Sequence, residues 1–193
     1  MAHHATQEEL SDAEICAMVA AGRRESALRA LMQRHGDAVA RYCRAALGDD
    51  AAADDVLQQV FIEVHRDLHN YSARSGIKAW IFGIARHRVL DQKRSQRRAA
   101  PRSQPLEDLR APDPRPLARE LLDKVRVHRA LEDCLSELSA QVRTALVLRY
   151  QQGFSFEEMS EICDEKAGTL QARVARSLPV LRDCLERRTG GSP

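Results

Sequence analysis

The sequence predicts an all-α fold: two small helical domains joined by a proline-rich linker, the second containing a helix-turn-helix. Three observations predict it. Apolar residues recur at helical spacing through most of the chain and nowhere alternate as a half-buried strand requires. Five of the seven prolines (Pro101, Pro105, Pro112, Pro114 and Pro116) fall within residues 101–116, where neither a helix nor a central strand can persist. About 40 residues from the end, a short amphipathic segment, a three-residue polar turn and a longer amphipathic segment follow one another at helix-turn-helix spacing. The expected organisation is a disordered tail over 1–10, a first domain over 11–99, a linker over 100–116, a second domain over 117–188 and a short tail over 189–193.

Each element has a local reason. Ser11 with Glu14 makes a capping box for a first helix, and Leu28, Leu31, Met32, Val39, Tyr42, Cys43 and Leu47 mark a second. In the third, "ADDVLQQVFIEVHRDL", Val56, Leu57, Val60, Phe61, Val64 and Leu68 form one apolar stripe. Its other face carries Asp55, Gln58, Gln59 and Ile62, where a merely solvated helix would carry Lys and Glu. The polar loop "HNYSARSG" closes on Gly76, and a fourth helix runs from Ile77 through Trp80, Ile81, Ile84 and Val89. The spacing of Trp80 to those isoleucines places it in the core. Beyond the linker, residues 117–136 and 140–151 show helical periodicity, Gly153 stops the second, and Ser155 with Glu158 caps a short helix through Met159 and Ile162. The last helix buries Leu170, Val174, Leu178, Leu181 and Leu185, with Pro179 removing one backbone donor inside it.

Composition excludes several classes. Aromatic residues are 4% of the 193, so the cores are aliphatic. The longest uncharged apolar run, Ala79 to Ala85, is far short of the roughly 20 residues a membrane helix needs. The opening "MAHHATQEELSD" lacks the order of a signal peptide, so a cytoplasmic protein without membrane insertion is expected. The chain stops a few residues after its last helix, so no C-terminal sensory extension is expected. Cys16, Cys43, Cys134, Cys163 and Cys184 show no CxxC or Cys/His ligand spacing and read as small buried thiols; no metal and no cofactor are expected. Without a Gly-rich phosphate loop, a nucleophile motif or paired carboxylates, the chain is not expected to be an enzyme.

The net charge of +2 hides a segregation. Residues 49–67 carry Asp49, Asp50, Asp54, Asp55, Glu63 and Asp67 against Arg66 alone, whereas residues 86–102 carry Arg86, Arg88, Lys93, Arg94, Arg97, Arg98 and Arg102 against Asp91. A basic block of that kind attracts polyanions, because each phosphate it neutralises releases condensed counterions. In the last helix Thr169, Ala172, Arg173 and Arg176 fall opposite the buried stripe, with Lys166 and Gln171 beside them. Arg forks onto guanine edges or phosphates, Gln onto adenine, and Thr onto a phosphate near a helix N-terminus.

Two motifs together carry a resemblance that spans about residues 12–187. "ADDVLQQVF" followed by "AWIFGIARHRVLDQKR" is similar to region 2, and "LSAQVRTALVLRYQQGFSFEEMSEICDEKAGTLQARVARSLPVLR" to region 4, of the extracytoplasmic-function sigma factors of bacterial RNA polymerase. The resemblance implies a promoter-recognition subunit that makes no bonds itself. It implies that Asp54, Asp55, Gln58, Gln59 and Ile62 face the clamp helices of the largest polymerase subunit, and that region 4 meets the flap of the second-largest. It implies that Asn70, Tyr71, Ser72 and Arg74 pocket a base extruded from the minus-10 element, and that Lys78, Arg86, His87, Arg88, Lys93 and Arg94 contact DNA around it. The reading face for the minus-35 element would be Lys166, Thr169, Gln171, Ala172, Arg173 and Arg176. The partners implied are core polymerase, promoter DNA and an anti-sigma factor.

The chain departs from the family pattern at particular positions. His87 stands where Asn is common, Gln59 where an acid is usual, Leu138-Ser139 where the turn is usually "LP", and "AGTLQARV" lacks a Lys and a Ser that would contact phosphate. Two other readings share part of this pattern. A free-standing helix-turn-helix regulator would need neither the acidic face nor the region 2 motif, and a sigma-like adaptor would bind polymerase while reading DNA poorly.

Overall fold

The computed structural model describes residues 10–71, 75–99 and 118–190, without the side chains of residues 97, 99 and 118–124. The expected linker, residues 1–9 and 191–193 of the expected tails, Ser72 and Arg74 lie outside the described residues. Among those described there are eight α-helices and no strand: α1 Asp12–Ala20, α2 Arg24–Leu47, α3 Asp50–Asp67, α4 Ile77–Ala99, α5 Ala118–Glu137, α6 Ala140–Leu146, α7 Phe156–Cys163 and α8 Ala167–Thr189. None of them is long and apolar enough to cross a membrane.

The helix ends follow the local chemistry. Ser11 and Ser155 each accept from the backbone of a Glu three residues on, and Glu14 and Glu158 reach back to the cap backbone. Asp49 caps α3 by accepting from the Ala52 amide at 3.0 Å. Gly48 ends α2 at φ 70°, and Gly153 turns the chain at φ 75° after α6 has widened into a π-helical segment, Val147–Gln151. Between α7 and α8 the turn is made by Asp164 at φ 51°, a left-handed conformation that Asp tolerates better than bulkier residues.

Helices α1 to α4 pack around Ile15, Leu31, Val39, Tyr42, Val60, Val64, Leu68, Ile81 and Phe82, and α6 to α8 around Leu148, Phe154, Met159, Leu170 and Val174. Periodicity predicts two separate cores; instead these residues form one continuous cluster. The joint is aromatic. The Tyr42 and Phe82 rings meet edge-on at 5.5 Å, and Phe82 in turn meets Phe154 at 5.0 Å, so the ladder runs from α2 through α4 into the turn before α7. Trp80 is half-buried beside this core, with the Tyr71 ring at 5.1 Å.

Two expectations are corrected. The buried stripe of α8 runs Leu170, Val174, Ser177, Cys184, with Leu181 partly buried, and Leu178 is exposed. Leu170 and Val174 pack into the core with α6 and α7, Cys184 meets α5, and Ser177 and Cys184 are too small to register as hydrophobic anchors in the sequence. Nor are all the cysteines buried thiols: Cys134 of α5 and Cys184 of α8 are joined as a disulfide, while Cys16, Cys43 and Cys163 are free. Their separation of 50 residues hides the pair in the sequence, and only the α5–α8 seam brings it together.

Candidate polymerase and nucleic-acid interfaces

On α3 the predicted partner face is intact. Asp54, Asp55, Gln58 and Gln59 are exposed, and Ile62 is the most exposed large apolar side chain described, at 69%. Asp55, Gln58, Gln59 and Ile62 repeat at three and four residues and share one stripe, opposite the buried Val56, Val60 and Val64. At that exposure Ile62 contributes little to the packing of the described residues. Asp54 lies 3.6 Å from Arg44 of α2, an exposed pair of small energetic consequence.

The helix-turn-helix has the expected frame. Lys166, Thr169, Gln171, Ala172 and Arg176 are exposed along the first turns of α8. Arg173 is not free. Its guanidinium donates twice to Glu165, once at 3.0 Å, and Arg86 of α4 lies 3.9 Å from the same carboxylate. The hydrogen bond from Arg173 holds the Glu165 carboxyl below the usual carboxylate range, with burial opposing and the Arg173 and Arg86 charges assisting.

The minus-10 candidates divide. Asn70 and His87 are exposed, and Arg94 is exposed with Asp91 at 3.5 Å. Arg88 is held by Glu63 of α3, and Lys93 is half-buried. Tyr71 donates its phenol to the Ser75 carbonyl, bracing the loop. Lys78 and Arg86, in contrast, face the two ends of α7: Lys78 Nζ donates to the Gln152 carbonyl at 2.9 Å and stands 4.5 Å from the centre of the Phe154 ring in the turn before it, and Arg86 reaches Glu165 in the turn after it. Lys78, Arg86 and Arg173, expected on two DNA surfaces, therefore meet at one joint.

A residue that sequence reading missed completes this joint. Arg143 of α6 is buried, and its guanidinium donates to the Leu135 and Ser136 carbonyls at 2.6 Å each and to the Ala46 carbonyl at 3.1 Å. Leu135 and Ser136 lie at the C-terminal end of α5 and Ala46 at that of α2, where unpaired carbonyls and the helix dipoles favour a cation. Burial pulls its pKa down, but an arginine stays charged there. No spacing rule reveals it, because its partners are backbone atoms 7, 8 and 97 residues away.

Acid should weaken the joint. The depressed carboxyl of Glu165 contributes stability that is fully present above the unfolded carboxylate value of about 4.3 and lost as pH falls through the folded value. Melting followed from pH 6 downward should fall less steeply for Glu165→Gln than for the natural chain. Superimposable pH profiles would show that the Arg173–Glu165 pair contributes nothing to stability.

A helix-turn-helix with a basic face, joined to a second helical unit with an unpartnered amide and isoleucine stripe, defines a helical DNA-binding transcription protein. Comparison specifies it further. Residues 31–99 match the Sigma-70 region 2 family and residues 128–178 the Sigma-70 region 4 family. SigC of Mycobacterium tuberculosis, an ECF RNA polymerase sigma factor, is 32% identical over 141 residues, 70% of this chain and 71% of SigC. SigE of Mycolicibacterium smegmatis is 29% identical over 157 residues, and the match takes in 81% of this chain but only 61% of the length of SigE. In fold, the chain is similar to the sigma factor RpoE of Bartonella quintana, solved with the anti-sigma factor NepR, at a TM-score of 0.61 and 21% identity over 84% of this chain and 96% of that one. The chain belongs to the ECF RNA polymerase sigma factors, the subunits that direct RNA polymerase to promoters.

Proposed function

We propose that the chain docks on core polymerase through the Asp55–Ile62 stripe of α3 and reads the minus-35 element with Arg173, Arg176 and the exposed start of α8. Asn70, Tyr71, Ser72, Arg74 and the α4 residues Lys78, Arg86, His87, Arg88, Lys93 and Arg94 then open and hold the minus-10 element. The observation that carries this reading is the exposure of Ile62 among acids and amides, a surface suited to a basic, grooved helical partner such as the clamp helices. Region 4 would meet the flap of the second-largest subunit. The setting is the bacterial cytoplasm, with an anti-sigma factor as a further partner.

Geometry adds a step to this function. Elements centred near positions 10 and 35 upstream lie about 25 base pairs, roughly 85 Å, apart. Helix α4, at 23 residues, is only about 35 Å long, and its Lys78 and Arg86 already touch the α7–α8 unit. The joined form described here therefore cannot span both elements. Separation at the Phe82–Phe154 contact, driven by polymerase and DNA, would release Lys78, Arg86 and Arg173 together.

Run-off transcription with sigma-free core polymerase on genomic fragments tests the assignment. Discrete starts sharing two upstream motifs are expected. Arg173→Ala should cost about 1 to 3 kcal/mol at one base pair of the upstream motif, whereas Arg94→Ala should weaken all sequences alike and flatten the salt dependence. Unchanged promoter choice in Arg173→Ala would remove that residue from the reading face. DNA binding without polymerase, and no transcript with it, would instead make the chain a free-standing regulator.

A further inference from the structure

The disulfide stands apart from everything the sigma-factor reading requires. It links the last turn of α5 to the back half of α8, away from the exposed start of α8 and from the α3 face. The inference rests on the cytoplasmic reading above, because in that compartment thiol reductants keep most cysteines reduced and a disulfide is as a rule transient. A cysteine pair placed to close there is a redox site.

The seam explains what its state would change. The buried residues of the seam are Ala130 and Cys134 on α5 with Ser177 and Cys184 on α8, all small. Among the described side chains Leu131 and Leu135 of α5 and Leu181 and Leu185 of α8 are half-buried, and Arg188 pairs with Asp133 and Glu137 in solvent. The cross-link is the covalent fastening of this end of α8, and the solvent-exposed ion pairs add little to it. Pro179 lies between the fastened end and the reading end, and its missing N–H leaves the Ala175 carbonyl without a helical donor, a ready point of bending. The fastened end of α5 is also where Arg143 takes its two carbonyls. The other three cysteines differ in having no second sulfur at hand: Cys16, Cys43 and Cys163 are free, so a sulfenic acid formed on any of them meets no thiol that could close it to a disulfide.

We propose that Cys134 and Cys184 form a reversible, hydroperoxide-oxidised thiol pair that sets how firmly the reading helix α8 is held on α5, the oxidised form being the better promoter reader. One cysteine sulfur attacks the peroxide, breaking the O–O bond to give a sulfenic acid and the alcohol of the hydroperoxide, or water when the oxidant is hydrogen peroxide. The second sulfur attacks the first, the S–S bond forms as the S–O bond breaks, and hydroxide leaves with the second thiol proton as water. Two thiols lose two electrons in all, and one hydroperoxide gains them. Thiol–disulfide exchange with a cellular dithiol reverses the change. A reduced, looser α8 must be ordered when it binds DNA, and that cost appears as weaker reading.

The test uses the full chain oxidised with hydrogen peroxide, freed of peroxide, and compared with a dithiol-reduced sample. Alkylation with mass mapping should show Cys134 and Cys184 blocked in the first and open in the second, with Cys16, Cys43 and Cys163 open in both after unfolding. Hydrogen exchange over 178–189 should be slower in the oxidised chain, and transcription with core polymerase higher by at least about fivefold, as expected when pre-organisation is gained. Cys184→Ser should stay at the reduced level and ignore peroxide, whereas Cys16→Ser should respond like the natural chain. The reduced natural chain supplies the same comparison if Cys184→Ser does not fold. Failure of the pair to close, or closure with exchange and transcription unchanged, overturns the proposal. If neither state yields a transcript, the sigma reading itself falls, and closure and exchange alone then decide whether the pair is a redox site.

Discussion

Replacing Phe154 by alanine is expected to lower the stability of the chain by about 3 to 5 kcal/mol, the cost of emptying a buried aromatic site. For a chain of this size that is a fall in melting temperature on the order of 10 °C. Phe154 is 2% exposed, meets Phe82 edge-on at 5.0 Å and lies under the Lys78 ammonium, so truncation removes apolar burial, an aromatic pair and a cation–π contact at once. The same ring joins α4 to the turn before α7. Its loss should therefore weaken the joined form more than either helical unit, and raise the protease sensitivity of the connection between them. A change in stability below about 1 kcal/mol would show that the Phe82–Phe154 contact does not hold the joint.

The second large effect falls on binding and leaves stability alone. Gln58→Ala combined with Ile62→Ala should weaken binding to core polymerase on the order of 100-fold, since a desolvated apolar anchor and its flanking amide are the kind of group that dominates an interface. Melting should move by no more than about 0.5 kcal/mol equivalent, because both side chains are exposed. Binding by surface plasmon resonance and melting of the same sample separate the two. Undiminished binding by a folded double variant would take the α3 face out of the interface.

Much of this was legible in the sequence because it is written in short-range pattern. The capping boxes at Ser11 and Ser155, the glycine stop at Gly153, and the exposed stripe of α3 each depend on residues within one or two helical turns, where spacing alone determines the face. The exposure of Lys166, Thr169, Gln171, Ala172 and Arg176 at the start of α8 was legible for the same reason, whereas the tie of Arg173 to Glu165 was not. Its buried stripe was less so, because Ser177 and Cys184 occupy positions that only a partner helix identifies as interior.

What the sequence by itself determined is the set of helices, their caps, the family motifs and the side chains displayed on each face. The tertiary structure alone decided which of those faces are free. It placed Lys78 and Arg86 against the α7–α8 unit, tied Arg173 to Glu165, sent Arg143 to the carbonyl ends of two helices, and closed Cys134 on Cys184. Helical periodicity is a property of neighbours three and four residues apart, whereas these contacts join atoms as many as 97 residues apart. Their partners are set by how whole helices pack against one another, which no local spacing encodes.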